Sequence, residues 1–307
     1  MRQRPSKRIT EQRNPASGLL DQQTTRGILG LINREDRTVA KAVARTLPQA
    51  ARAVDLIVHA IEEGGRLIYL GAGTSGRLGA LDAAECPPTF GTNRVRAIIA
   101  GGSRALLHAV EGAEDDVLAA ARDLRRIGLR REDVVVGVSA SGSTPYTIAG
   151  LRTARRMGAK TIAVTCNPAS ALEREADVAI VPVTGPEVVT GSTRMKAGTA
   201  TKLVLNMLST AAMVRLGRVL SGWMTSGRLT NQKLRERGLV ALMAATGARR
   251  TRAQRVLEES GYNLSAAMLM IWNGISKDEA LRKLVQAKNP AALLRAAWKE
   301  HSRRPRA

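Results

Sequence analysis

The chain has 307 residues with a formal net charge of +22, and 44% of its residues are apolar but only 2% are aromatic. This length predicts one large domain, or one domain with a smaller companion. Because aromatic residues are so few, the core of the protein has to be aliphatic. Three histidines and two cysteines are too few and too scattered for a structural zinc site. We therefore expect no metal and no cofactor.

The positive charge by itself would indicate a nucleic-acid-binding protein. The basic residues, however, are spread along the whole chain, and the densest stretches, residues 1–8 and 301–307, contain no aromatic residues on which bases could stack. We favour a solvated basic surface and do not expect nucleic acid as a partner. The sequence shows neither a signal-peptide pattern nor a membrane-spanning run, so we expect a cytoplasmic protein without membrane segments.

The predicted elements begin with an extended polar arm at residues 1–22, followed by helical periodicity over residues 24–62. Five short apolar runs rich in β-branched residues come next, each bounded by Gly, Pro, Ser or Thr. They cover residues 66–70, 95–102, 133–145, 160–168 and 178–187. Helical patterns separate most of these runs, including residues 106–128 and 146–158.

Apolar strands that alternate with helices are typical of α/β proteins. We predict a five-stranded parallel sheet flanked by helices, with its site at the carboxyl ends of the strands. A long helix is expected from Lys196, and a small helical module closes the chain. The predicted domains are an arm and helix (1–50), a sheet domain (51–234) and a helical module with a basic tail (235–307).

The first predicted strand runs into the sequence G-x-G-x-x-G at residues 71–76. A dinucleotide site would also need an acidic residue at the end of the second strand to hold the ribose. That strand ends in "IIAGGS" and carries no carboxylate. The turn therefore favours an anion such as phosphate at the start of a helix, with the hydroxyls of Thr74 and Ser75 as contacts.

Two further polar turns follow predicted strands and precede predicted helices, "SASGSTP" at 139–145 and "GSTRMKAGT" at 191–199. Their polar groups belong to Ser139, Ser141, Ser143, Thr144, Ser192, Thr193 and Lys196. Serine and threonine also cap ordinary helices, so one such turn indicates little. Three at one sheet edge predict a ligand that carries hydroxyl and phosphate groups.

Two glutamates are candidates for proton transfer. Glu85 lies among alanine, cysteine and proline residues that would exclude water and keep its carboxyl protonated. Glu114 lies in the acidic run 111–116 on the second predicted helix, where neighbouring negative charges oppose its ionisation. The alternatives are a helix-end residue for Glu85 and a solvated helix face for Glu114. His108 is a third candidate for proton transfer. Its apolar neighbours indicate that its side chain is packed rather than catalytic.

Four stretches carry a family resemblance: "GAGTSGRLG…ECPPT", "HAVEGAED", "SASGSTPY" and "GPEVVTGSTRMKAGTATKLVLNMLST". They resemble the sugar isomerase (SIS) domain and, more closely, the N-acetylmuramic acid 6-phosphate etherases. The resemblance begins at "ITEQRNPAS" (residues 9–17) and covers nearly the whole chain. Two positions depart from it, since Ser143 stands where the family more often carries arginine and Ser17 where threonine is usual.

The resemblance implies a SIS-type sandwich and cleavage of the D-lactyl ether of N-acetylmuramic acid 6-phosphate, with Glu85 as acid and Glu114 as base. It implies a homodimer whose long helices pack together, and an arm that reaches a site in its own or a neighbouring subunit. The implied substrate contacts are Thr74, Ser75, Ser141, Ser143, Thr144, Glu187, Ser192, Thr193 and Lys196. The alternative is a regulator that senses a phosphosugar without chemistry, which would have no use for both glutamates.

Overall fold

The computed structural model describes residues 8–227, 229 and 231–303, so the extreme basic ends lie outside the described residues. The arm was predicted to be extended, but three 3-10 turns occupy it. Their bounds are Ile9–Glu11, Pro15–Ser17 and Leu20–Gln22. Asn14 explains the second of these turns, because its side chain accepts a hydrogen bond from the Ala16 amide ahead of a proline-initiated turn.

The predicted helical region 24–62 contains three helices: α1 (Thr25–Asp36), α2 (Val39–Ala44) and α3 (Leu47–Glu62). The hydroxyl of Thr24 caps α1 by accepting from the Gly27 amide at 3.2 Å. Periodicity thus predicts the helical region correctly, while the breaks between helices are resolved only in the structure.

All five predicted strands are present and form one parallel sheet in the order β2-β1-β3-β4-β5. Their bounds are β1 Leu67–Gly71, β2 Val95–Ile99, β3 Val134–Val138, β4 Lys160–Val164 and β5 Val178–Ile180. The last residues of neighbouring strands pair with one another, as Gly71 does with both Ile99 and Val138. The loops that follow the strands therefore leave the same edge of the sheet at the same level.

Five helices follow the strands or connect them. Their bounds are α4 Gly73–Phe90, α5 Arg104–Leu107, α6 Val117–Arg126, α7 Pro145–Arg156 and α8 Lys196–Arg215. The long helix predicted from Lys196 is confirmed. The prediction of continuous helix over 106–128 is wrong, because Gly112 adopts a φ of +72° and the Asp116 carboxylate caps the start of α6.

Close packing of α7 on the sheet depends on Gly150. A Cβ at this position would lie 2.0 Å from Leu70 Cδ2, and Leu70 is fully buried in β1. Since neighbouring core residues surround Leu70, its side chain has little room to move away.

We expect Gly150→Ala to lower the free energy of unfolding by about 1–3 kcal/mol through overpacking. Gly30→Ala is the matched control, because the added Cβ in α1 would meet its nearest atom, Arg34 Nη1, at 3.6 Å. That change should be neutral or stabilise the protein by up to about 1 kcal/mol. Urea denaturation followed by circular dichroism measures both, and equal effects of the two substitutions would contradict this packing argument.

The chain forms two compact units, one made of the chain up to Ala84 with Arg94–Thr210, the other of Glu85–Asn93 with the chain from Ala211 onward. The second unit holds a short antiparallel pair, β6 (Val219–Leu220) and β7 (Trp223–Met224), and five helices. These are α9 Gln232–Thr246, α10 Arg250–Glu259, α11 Leu264–Asn273, α12 Lys277–Gln286 and α13 Pro290–Arg303. The predicted C-terminal helical module is therefore confirmed.

The core of the helical unit is aliphatic apart from Trp272, which is 1% exposed. Glycines in the left-handed conformation end α9 and α11, at Gly247 and Gly274. The predicted domain boundaries at residues 50 and 234 remain a proposal. No helix among the described residues has the length and apolar character needed to cross a bilayer.

Candidate functional site

The first turn, residues 71–76, brings β1 into α4 with Thr74 and Ser75 in the first turn of that helix. Only glycine fits at its corners: a Cβ on Gly76 would lie 2.7 Å from the carbonyl oxygen of Gly71, and Gly73 has a φ of +52°. The hydroxyl residues are half-buried at the amino end of an 18-residue helix. The amino end of a helix favours an anion, and a phosphate bound at this turn stays a prediction.

The second turn, which we call the hydroxyl loop (residues 139–144), connects β3 to α7. Its side chains form a hydrogen-bonded group, in which Ser139 Oγ lies 2.8 Å from Thr144 Oγ1 and 3.3 Å from Ser141 Oγ. Ser143 Oγ donates to Ser141 Oγ at 2.9 Å. Apart from Ser139 these residues are only half-buried, so their hydroxyls can exchange these bonds for bonds to a ligand.

The third turn lies next to the first. Ser192 and Thr193 are half-buried just before α8, and a Cβ at Gly198 would lie 3.7 Å from Thr74 Cγ2. The prediction that three hydroxyl-bearing turns meet at the carboxyl edge of the sheet agrees with this packing and with the strand register.

Glu187 was expected to bind substrate, and the structure gives it another role. Its carboxylate is fully buried and accepts from the amides of Lys196 at 3.0 Å and Ala197 at 2.9 Å, which caps α8. Burial raises the pKa of Glu187, although these amides and the Lys196 charge act in the opposite direction. The residue holds the third turn in place and presents no free oxygen to a ligand.

Lys196 was also expected to contact substrate, but its ammonium group is already paired. Its side chain is 3% exposed, and Nζ donates to Glu35 Oε2 at 2.5 Å. Asn14 Nδ2 donates to the same oxygen at 2.8 Å and to the Pro186 carbonyl at 3.1 Å. Burial opposes ionisation of Glu35, but the bonds from Lys196 and Asn14 outweigh it and lower the pKa of Glu35. This network ties the arm and α1 to the third turn.

The N-terminal arm lies on the site of its own chain. Thr10 is 1% exposed, and Asn167 holds it with two bonds: the Thr10 amide donates to Asn167 Oδ1 at 3.2 Å and Asn167 Nδ2 donates to Thr10 Oγ1 at 2.8 Å. Next to Thr10, the Glu11 carboxylate reaches the third turn, 3.4 Å from a Cβ placed at Gly191. The arm thus touches the same sheet edge as the three turns.

Glu114 was predicted on a helix, but it lies in the turn 111–115 between α5 and α6. Its carbonyl accepts from the Tyr146 amide at 2.9 Å, which fixes this turn against the start of α7 beside the hydroxyl loop. Its side chain is exposed. Asp116, expected to repel it, pairs instead with Arg122 at 2.9 Å, and hydrogen bonds led by the Ala119 amide lower the pKa of Asp116.

Glu85 lies on α4, the helix that begins with Thr74 and Ser75. The expectation that its neighbours exclude water is wrong for this chain on its own, because both Ala84 and Glu85 are exposed while the apolar contacts are made by Ala83 and Cys86. One face of α4 is packed and the other faces solvent, and Glu85 lies on the solvent-facing side. His108, predicted to be packed, is exposed as well.

Sequence reasoning missed two residues that shape the site, Glu35 and Asn167, and it named Thr10 and Asn14 only as part of an arm expected to reach a site. Asn167 could have been found, because it follows β4 at the carboxyl edge as the hydroxyl loop follows β3. Glu35 carries no local pattern that points to the site. Within the described part of the chain, no three His, Cys, Asp or Glu side chains are grouped so that they could hold a metal ion.

The chain is similar to known proteins that contain SIS domains. Residues 49–155 match the family model of the glucokinase regulatory protein N-terminal SIS domain, and residues 118–211 match that of the SIS domain. Among solved structures, a phosphoheptose isomerase from Neisseria gonorrhoeae is 18% identical, with a TM-score of 0.48, and the match covers 62% of this chain and 99% of that one.

Curated relatives match over almost their full length. The N-acetylmuramic acid 6-phosphate etherases of Yersinia pestis (strain Pestoides F) and Yersinia pseudotuberculosis serotype O:1b (strain IP 31758) are each 53% identical over 280 residues. Each match covers 91% of this chain and 95% of the relative. Together with the SIS-type sheet and its turns, this identity shows that the chain belongs to the N-acetylmuramic acid 6-phosphate etherase family.

Proposed function

We propose that this enzyme cleaves the D-lactyl ether of N-acetylmuramic acid 6-phosphate with water, giving N-acetylglucosamine 6-phosphate and D-lactate. The observation that carries the proposal is the hydrogen bond from the Tyr146 amide to the Glu114 carbonyl, which fixes a carboxylate-bearing turn beside the hydroxyl loop. A sensor of phosphosugars needs the loop but not the carboxylate. The role we infer is in the breakdown of cell-wall amino sugars.

An ether oxygen is a poor leaving group, so the proposed route avoids direct displacement. Opening of the sugar ring exposes the C1 aldehyde, which acidifies the hydrogen at C2. Glu114 removes that proton, the electron pair forms the C2–C3 double bond, and lactate leaves from C3 with a proton from Glu85. Water then adds at C3 and a proton returns to C2, so that the net reaction consumes one water molecule.

The two carboxyls need opposite protonation states at the start of this cycle. Glu114 is exposed in its turn and acts as the base that accepts the C2 proton. Glu85 has to be protonated, although it too is exposed. We propose that bound substrate covers Glu85 and excludes bulk water from the proton transfer.

Substrate binding in this proposal uses the hydroxyls of the three turns. Thr74, Ser75 and the hydroxyl loop bind the phosphate and the opened sugar at two helix amino ends. Ser192 and Thr193 offer hydroxyls on the third turn. Glu187 and Lys196 hold that turn in shape rather than touch the substrate, because their polar atoms are buried and paired.

Incubation of the protein with N-acetylmuramic acid 6-phosphate and an enzymatic assay for D-lactate tests this function. We expect equimolar D-lactate and N-acetylglucosamine 6-phosphate, and no release from the unphosphorylated sugar at the same concentration. Saturable binding of the phosphosugar without any lactate would contradict the proposal and support a sensor.

We also propose a cytoplasmic homodimer. Both cysteines are free and buried, which agrees with a reducing compartment. On α8, Met207 and Val214 lie seven residues apart on one face and are 38% and 46% exposed, as expected for a helix that packs against a second copy. Light scattering should give twice the chain mass of 32.8 kDa. A monomer at micromolar concentration would contradict the dimer.

A further inference from the structure

The arm is clamped to the hydroxyl loop through one side chain. Asn167 Nδ2 donates to the carbonyls of Ala140 at 3.1 Å and Ser141 at 3.2 Å, and also to Thr10 Oγ1 at 2.8 Å. Asn167 and Thr10 are 3% and 1% exposed, so these bonds are shielded from water. The position of the arm relative to the loop is therefore fixed by buried hydrogen bonds.

Two residues before Thr10, the arm presents a cation to the same loop. Arg8 Nη1 donates to Ser143 Oγ at 2.7 Å, and Ser143 Oγ donates in turn to Ser141 Oγ at 2.9 Å. Arg8 is exposed, and the hydroxyl residue to which it donates is half-buried. A planar guanidinium with several donors is well suited to binding a phosphate dianion.

Two other basic side chains near these turns make contacts of their own, while Arg194 in the third turn is exposed. Lys196 is buried in its ion pair with Glu35. Arg77 on α4 donates to the carbonyls of Leu106 at 3.1 Å and His108 at 3.1 Å. The hydroxyls and helix amino ends of the site supply hydrogen bonds and partial charge, but they leave a phosphate dianion without a full countercharge.

We propose that Arg8 supplies this countercharge, so that the N-terminal arm of the chain is part of the phosphate site and selects the phosphorylated sugar. This inference rests on the proposed function and adds a specificity residue to it. On binding, the substrate phosphate takes the place of Ser143 Oγ as the acceptor for Arg8 Nη1, while the Thr10–Asn167 clamp keeps the arm in position.

Steady-state kinetics of Arg8→Gln, Arg8→Lys and the control Arg13→Ala test the inference. Arg13 lies on the same arm and its guanidinium is directed to the Gly18 carbonyl at 3.5 Å, away from the hydroxyl loop. For Arg8→Gln we expect KM to rise about 10- to 100-fold with kcat changed less than about threefold, because loss of a charged hydrogen bond weakens ground-state and transition-state binding alike. The KM of Arg8→Lys should lie between those of the wild type and Arg8→Gln. The KM of Arg13→Ala should match that of the wild type.

Inorganic phosphate gives a second readout that does not depend on lactate chemistry. Its affinity, measured by calorimetry, should fall by a similar factor in Arg8→Gln. An unchanged KM or an unchanged phosphate affinity in this variant would overturn the assignment of Arg8 to the phosphate. If the wild type releases no lactate but the phosphate affinity still depends on Arg8, the proposed reaction fails while this inference stands.

Discussion

Glu114→Gln should slow both D-lactate release and exchange of the C2 hydrogen with solvent, because the amide cannot accept the C2 proton. Loss of a general base lowers rates by roughly 10²- to 10⁴-fold, so kcat should fall at least 10²-fold. Glu85→Gln should lower lactate release by a similar factor but retain exchange at C2, since proton abstraction precedes departure of lactate. Proton NMR of the C2 signal in heavy water and a lactate assay measure the two steps separately.

Glu111→Gln is the matched control for this prediction. Glu111 lies in the same exposed turn, residues 111–115, and its removal changes the local charge by the same amount. The activity of Glu111→Gln should stay within about twofold of wild type, since solvent-exposed charges interact only weakly with their neighbours. If Glu111→Gln loses as much activity as Glu114→Gln, the effect is electrostatic and the assignment of the base to Glu114 is wrong.

Glu35→Gln should lower the free energy of unfolding by about 3 kcal/mol, because it leaves the Lys196 ammonium, 3% exposed, without its counter-ion. The same carboxylate also accepts from Asn14, so the arm should loosen together with the ion pair. Urea denaturation measures the stability. Added Lys196→Met should recover part of the loss, because the ammonium is then no longer buried without Glu35, although Glu187 loses its neighbouring cation.

The pH dependence of this pair gives an independent check. The pKa of Glu35 is lowered below its usual 4.5, so its ionisation stabilises the fold above that pH, and the stabilisation is lost as pH falls through the native pKa. The stability difference between wild type and Glu35→Gln should therefore shrink below about pH 4.5. The pKa of Glu187 is raised, so its contribution to stability has the opposite pH dependence. Glu187 is present in both proteins, and its contribution therefore cancels in the difference between wild type and Glu35→Gln. A difference that stays constant from pH 7 to pH 3 would contradict the proposed ion pair.

The sheet is predictable from sequence because its strands are short, apolar and bounded by turn-forming residues. β1 and β3 are buried at every position, so each reads as an unbroken apolar run rather than an alternating one. A parallel sheet then places the polar turns on one edge without further information. This is why the placement of Thr74, Ser75 and the hydroxyl loop follows from the sequence.

The helical break before α6 could also have been predicted. Asp116 precedes an apolar run and its carboxylate caps that run at the Leu118 and Ala119 amides, a pattern that marks a helix start. The apolar periodicity of the sequence continues across Gly112, and it therefore conceals the break between the two helices. Glu114 therefore lies in a turn, and its backbone bond to Tyr146, rather than a helical face, sets its position.

The pairing of buried groups across long sequence separations cannot be read from local patterns. Lys196 and Glu35 are 161 residues apart, and Asn167 and Thr10 are 157 apart. A lysine beside a polar turn has the same local sequence whether it binds a ligand or an internal carboxylate. Only the tertiary structure shows that Lys196 is engaged internally and that the arm lies on its own chain.

The most direct test of the central claim is to run the reaction in heavy water and follow it by NMR. Cleavage by elimination and water addition predicts D-lactate together with N-acetylglucosamine 6-phosphate that carries one deuterium at C2, because Glu114 removes the original proton and solvent returns its replacement. D-lactate released alongside a product that keeps its original hydrogen at C2 would contradict the account.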